Sequence, residues 1–296
     1  MRIAPIALTL TLVTTSLTHA AKIEWSAADR AEIAKRAKKA DKFKDGVRVR
    51  AASWTVMTPF SAEFTAELSL WFDRATELHA AVFPGKPQVT QPTDVTIYTD
   101  RAKFAAAGGE AGRTSKLTSN LDFSTSGKGS LHSFAVIVLV DPKQDPSVAD
   151  VVSGDLLGTI SNTLTRRLIG SAEYPLWMTF GFMTFMQMAD WSKSVAENVD
   201  RIVTTLRTRK ANSLSNADDV ATVRRMLAVD SSATAADAGL ASGFLAFGLR
   251  DRAGRKFIDE CTECAAKTKK FEPSERELKA IAKAWFAFTS AEAPPK

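Results

Sequence analysis

An α+β fold follows from three observations. In the first half of the chain, apolar runs of strand length over residues 52–58, 94–99 and 133–141 are interspersed with helical patterns. From Pro146 onward every periodic segment carries apolar residues three and four apart, the spacing of a helix face. Hydrophobic residues make up 45% of the 296, enough to bury a substantial core. Mixed strands and helices followed by helices alone predict a strand-and-helix lobe and then a helical C-terminal lobe.

Taken in order, residues 1–20 carry one early charge, Arg2, and then the uncharged run IAPIALTLTLVTTSLTHA. That is the pattern of a secretory signal peptide cleaved between Ala20 and Ala21. The expected location is therefore exported, periplasmic or extracellular. The mature N-terminal α/β lobe covers 21–145. It opens with a basic helix within RAEIAKRAKKADKFKDGVRVR, residues 30–50. ASWTVMT, 52–58, alternates as a strand. In the next segment Phe64, Leu68, Trp71, Ala75, Leu78 and Val82 step by three and four, an amphipathic helix capped by Ser61. PGKPQVTQP is a loop, because Pro and Gly cannot continue that helix. DVTIYT, 94–99, is a second strand, and DRAKFAAAG opens a helix ended by Gly108 and Gly109. Gly, Ser and Thr fill 109–130, which predicts a long loop, either covering a substrate or merely flexible. SFAVIVLVD, 133–141, suits a strand buried on both faces.

The helical lobe covers 146–290. Helices are expected over 151–169, 176–191, 196–210, 217–229, 235–270 with a break near Asp251, and 274–290. The second of these is apolar almost all round and must be buried. The last residues, AEAPPK over 291–296, form a disordered tail.

The formal net charge is +6, and much of the excess lies in 30–50. The stretch is either an electrostatic footprint for an anionic partner or a solvated helix flank. It lacks the interleaved aromatics of a nucleic-acid groove, and export also argues against nucleic acid. No segment has the roughly 20 apolar residues of a transmembrane helix. Cys261 and Cys264 form a C-x-x-C in a helical pattern. Zinc would need two more ligands, and a redox pair would sit at a helix start after a strand. A structural pair remains, reduced or joined as a disulfide after export.

The ordered series IYTDRAKF, AVIVLVD, NTLTRRLIG and PLWMTFGFM resembles the gluzincin-type metallopeptidases of the thermolysin-like superfamily. GLASGFLAFGLRDRAGRKFIDE and ERELKAIAKAWFAF resemble that family's closing segments, so the likeness spans most of 50–290. It implies a zincin-like fold. In the family, an H-E-x-x-H helix supplies two zinc-binding His on one face and a Glu that activates the metal-bound water, and a Glu from the next helix completes the ligands. Matched position by position, Asn162 stands for the first His, Thr163 for the catalytic Glu, Arg166 for the second His and Phe180 for the Glu ligand. The resemblance therefore implies a pseudo-peptidase with no metal, no cofactor and no hydrolysis. Arg166 is the most damaging replacement, because a guanidinium has no lone pair for a metal.

No other machinery stands in. Beyond the signal peptide the His residues are His79 and His132, and the Tyr residues are Tyr98 and Tyr174. There is no G-x-S-x-G and no phosphate-binding G-x-x-x-x-G-K-[ST]. The expected role is binding of a peptide or protein in the former cleft, where Arg166 and Arg167 beside Asn162 would recognise a carboxylate, or else form a salt bridge. A structural envelope protein, or an enzyme of unrecognised type using the Ser- and Thr-rich stretch, are the alternatives.

Overall fold

The computed structural model describes residues 23–123, 129–141, 146–152, 154–171, 174–209, 213–230 and 232–290. The expected signal peptide and the tail at 291–296 lie outside the described residues. The fold is α+β, and its contacts divide it into two compact units, one of 23–171 with 190–198 and one of 174–189 with 199–290.

The first unit is built on a mixed sheet of six strands in the order β1-β2-β3-β4-β6-β5. Helix α1 (Ala27–Lys38) leads into a hairpin of β1 (Asp41–Phe43) and β2 (Gly46–Arg50). The basic stretch at 30–50 is thus helix only as far as Lys38. Asp45-Gly46 is a turn signal ahead of alternating Val47 and Val49, whose buried side favours a strand over a continued helix. Strand β3 (Trp54–Thr58) pairs antiparallel with β2, and helix α2 (Ala62–Val82) crosses to β4 (Thr93–Tyr98), parallel to β3. The Ser61 hydroxyl accepts from the Phe64 amide, as its position before the periodic run predicts. Val47, Val49, Ala37, Ala62 and Ala66 seal the hairpin onto α1 and α2.

Asp100 caps the short helix α3 (Arg101–Ala106) through the amides of Ala102 and Lys103. The stretch read as a long loop at 109–130 is largely strand. β5 (Ser115–Phe123) pairs antiparallel with β6 (Gly129–Leu139), from Ser115↔Val138 to Phe123↔Gly129. Small polar residues suggest a loop locally, but β6 offers a long apolar edge, and pairing with it overrides that preference. β6 lies between β4 and β5, and Val136 and Val138 are buried along with Ile137 between them, so both of its faces are covered.

The helix expected over 151–169 is two helices. α4 (Val148–Val151) ends before Gly154, whose φ of 52° no helix accommodates, and α5 (Asp155–Ile169) starts afresh. α5 packs against β5 and β6.

In the second unit α6 (Leu176–Met188) packs against α9 (Ala235–Arg250). Gly181 permits the approach, since a Cβ there would stand 2.7 Å from Leu245 Cδ1 and 3.0 Å from the Ala241 carbonyl. As its composition requires, α6 is buried on nearly every side, with Trp177, Met178, Phe180, Phe182 and Phe185 at 2% exposure or less. α7 (Val195–Arg207), α8 (Val220–Leu227), α10 (Arg252–Ala266) and α11 (Glu275–Ser290) complete the described helices. Phe244 holds the centre of the core, edge-on to Trp177, Phe257 and Trp285 at ring distances of 5.6, 5.6 and 5.1 Å. Among the described residues no helix is long and apolar enough to cross a membrane.

Candidate functional site

Helix α5 carries three of the candidate positions. At its start Asp155 accepts from the Thr114 amide at 3.1 Å and from Arg113 Nη1 at 3.3 Å, a carboxylate placed where a helix N-terminus favours negative charge. One turn on, the Thr159 and Ser115 hydroxyls share a hydrogen bond of 2.8 Å. Gly170, at φ 71°, closes the helix by donating to the Arg166 carbonyl.

Asn162 and Arg166, one turn apart, share a face and are half-buried. Thr163 faces inward, with no exposed surface, and its hydroxyl donates to the Thr159 carbonyl at 2.7 Å. Phe180 stands on α6 of the second unit, 2% exposed. The structure thus brings Asn162 and Arg166 onto one polar stripe, turns Thr163 into the core beside it, and places Phe180 in a different unit.

Arg167, paired with Arg166 in the sequence reading as a carboxylate clamp, has another role. It is 5% exposed, with Nη1 donating to the Ser53 carbonyl at 2.8 Å and Nε to the Val89 carbonyl at 3.4 Å. Its guanidinium carbon lies 5.7 Å from the Trp54 ring centroid. Its own carbonyl accepts from the Gln88 and Val89 amides. Two of its donor directions are committed to backbone, so a bidentate grip on a ligand carboxylate is not open to it. Among the described residues it forms no ion pair, and burial lowers its pKa.

His79 sits on α2, 5% exposed, its ring 5.0 Å from that of Phe83. Burial, and secondarily the charge of Arg167, push its pKa down to about 3, so it is neutral at physiological pH. His132 lies on β6. Cys261 and Cys264 are free thiols on α10. Cys261 is 1% exposed, and burial followed by the neighbouring Cys264 raises its pKa to about 12, which makes it a poor nucleophile. Among the described residues no group of three or more His, Cys, Asp or Glu could hold a metal ion.

Sequence reasoning missed a charged cleft of about 460 Å³ lined by α1, α2 and the turn before β3. Arg36 is held there by Asp73 at 2.7 Å and Glu32 at 3.0 Å, and Arg74 by Asp29 at 2.6 Å and Glu77 at 2.8 Å. Burial raises the Asp73 pKa despite the Arg36 charge. Each arginine is held by two carboxylates, so neither guanidinium is open to an anionic ligand, and the carboxylates outnumber the guanidiniums in the lining. The local signals were Glu32 with Arg36 and Arg74 with Glu77, each a helical turn apart. A smaller cavity of about 200 Å³ lies at the end of β6, between Thr114, Leu139, Asp150 and Leu156.

No family model matches the chain, and neither a curated protein nor a solved structure does.

Proposed function

We propose that the chain is an exported pseudo-peptidase, a zincin-like scaffold of gluzincin descent that binds a peptide or protein and cleaves nothing. Thr163 supports this reading. At the position where a gluzincin keeps its water-activating carboxylate stands a fully buried hydroxyl spent on a carbonyl of its own helix. Such a group has neither the basicity nor the access to activate water. The flanking positions supply an amide and a guanidinium, Asn162 and Arg166, which suit recognition of a ligand carboxylate and not coordination of a metal.

A panel of peptides with free and amidated C-termini tests the proposal, with binding followed by fluorescence anisotropy and integrity by mass spectrometry, with and without added zinc. Binding without cleavage is expected, and Arg166→Ala should weaken it about tenfold, the worth of one charge-assisted contact. Zinc-dependent cleavage, or about one zinc per chain retained after dialysis as in a catalytic site, would overturn it.

A structural role is the second reading, and Arg167 favours it. By tying α5 to the segments around Ser53 and Val89, it gives the helix a use that needs no ligand.

A further inference from the structure

The hairpin of β1 and β2 ends in a tip, Lys42-Phe43-Lys44-Asp45, that is exposed throughout. Phe43, at 42% exposure, is the only large hydrophobic side chain standing well out into solvent among the described residues. It pairs with Gly46 across the turn, and Arg48 holds its guanidinium 5.4 Å from the Phe43 ring centroid. Arg48 also donates to the Met57 sulfur at 3.8 Å. An exposed aromatic ring is therefore carried on a short strand with a guanidinium in contact with it.

The surroundings are basic. The ion pairs of this stretch are Lys35–Glu32, Arg36–Glu32, Arg36–Asp73 and Arg50–Asp41. Arg30, Lys38, Lys39, Lys42, Lys44 and Arg48 form none among the described residues. All of these except Arg48 are exposed; Arg30 lies in the first turn of α1, Lys38 and Lys39 at its C-terminal end, and Lys42 and Lys44 on the hairpin.

Lysines on a short edge strand also serve to block sheet-to-sheet aggregation. That accounts for Lys42 on β1 and for Lys44 in the turn beside it. It does not account for Phe43, since an exposed aromatic on an edge invites the association that the lysines oppose. An apolar ring set among unpaired cations is instead the composition of a peripheral membrane contact, where the ring enters the headgroup boundary and the cations meet anionic lipid.

We propose that this hairpin docks the protein onto an anionic phospholipid surface, with Phe43 as the inserting side chain and the exposed Lys38, Lys39, Lys42 and Lys44 as the electrostatic contact. Each cation held near such a surface strengthens binding roughly fivefold, an effect that fades beyond a Debye length and with salt. A bilayer is favoured over a soluble polyanion because Phe43 stands alone, without the series of stacking aromatics that single-stranded nucleic acid uses. The proposal is independent of the peptidase descent.

Vesicle co-sedimentation with the full chain provides the test, using phosphatidylglycerol–phosphatidylcholine vesicles and pure phosphatidylcholine vesicles at low salt. Binding to the anionic vesicles alone is expected, with release in high salt. Lys42→Glu with Lys44→Glu should weaken it at least tenfold. Phe43→Ala should weaken it severalfold at unchanged net charge, and these exposed positions should leave the melting temperature in place. Lys279→Glu with Lys283→Glu, the same charge change on exposed positions of α11, should have little effect. Equal binding to both vesicle types, no binding, or a loss shared equally by the α11 variant would overturn the proposal. So would heparin or polyuridylate binding that exceeds vesicle binding and is indifferent to Phe43→Ala, which would assign the patch to a soluble polyanion.

Discussion

Arg167 shows how a buried cation is kept without a carboxylate. Guanidinium is weakly hydrated, so its desolvation cost is lower than that of an ammonium, and two carbonyls and the Trp54 face offset part of it. The cost is passed to His79, whose protonation is opposed by burial and by that charge. The folded-state pKa of about 3 lies below the ordinary 6.5. Between the two the unfolded chain binds more protons than the folded one, so stability rises with pH. The His79 contribution is therefore complete above about pH 6.5 and is lost as the pH falls toward 3. The carboxylates with lowered pKa, such as Asp219 and Asp237, act at still more acid pH. Urea unfolding between pH 6.5 and 4.5 should show wild type losing up to about 1.4 kcal/mol per pH unit more than His79→Gln. Parallel slopes for the two proteins would mean that His79 is not buried in its neutral form.

At the scale of elements, Asp251 joins two helices. It ends α9 in an extended conformation, and its carboxylate accepts from the Ala253 and Gly254 amides to begin α10, at 2.8 and 3.1 Å. The break expected near Asp251 is thus a cap, and the chemistry of a short acid before a helix made it legible. Asp251→Ala should lower stability by about 1 to 2 kcal/mol, whereas Asp251→Asn should retain most of it, since Asn caps as well. Equal losses in the two variants, measured by chemical denaturation, would show that the charge and not the cap geometry matters. The candidate helix was legible in the same limited sense. The spacing of Asn162 and Arg166 put them on one face, and a helical Thr163 can bond the carbonyl four residues back, but nothing local revealed that Arg167 reaches Ser53.

On the scale of the whole molecule, each unit closes a core of its own, one around Trp54, Trp71 and Phe72 beneath the sheet, the other around Phe244 and Trp285 among helices. Both are aromatic-rich, as a chain of 17 Phe and 6 Trp allows. If the protein is exported as proposed, the mature chain begins at Ala21. Intact-mass analysis of the exported form should give that mass, and a chain retaining Met1 in the soluble cytoplasm would contradict it.

What the sequence determined by itself is whatever depends on neighbours within a few residues: the caps at Ser61 and Asp100, the stop at Gly170, and the burial of an α6 that has no polar face. The tertiary structure decided the rest. Residues 115–123 become a strand because β6 supplies the hydrogen-bonding edge and apolar neighbours, which local composition does not encode. Arg167 becomes a buried tie because carbonyls 114 and 78 positions away converge on it. A charge enters a core only where distant groups compensate it, and that convergence exists only once the chain has folded.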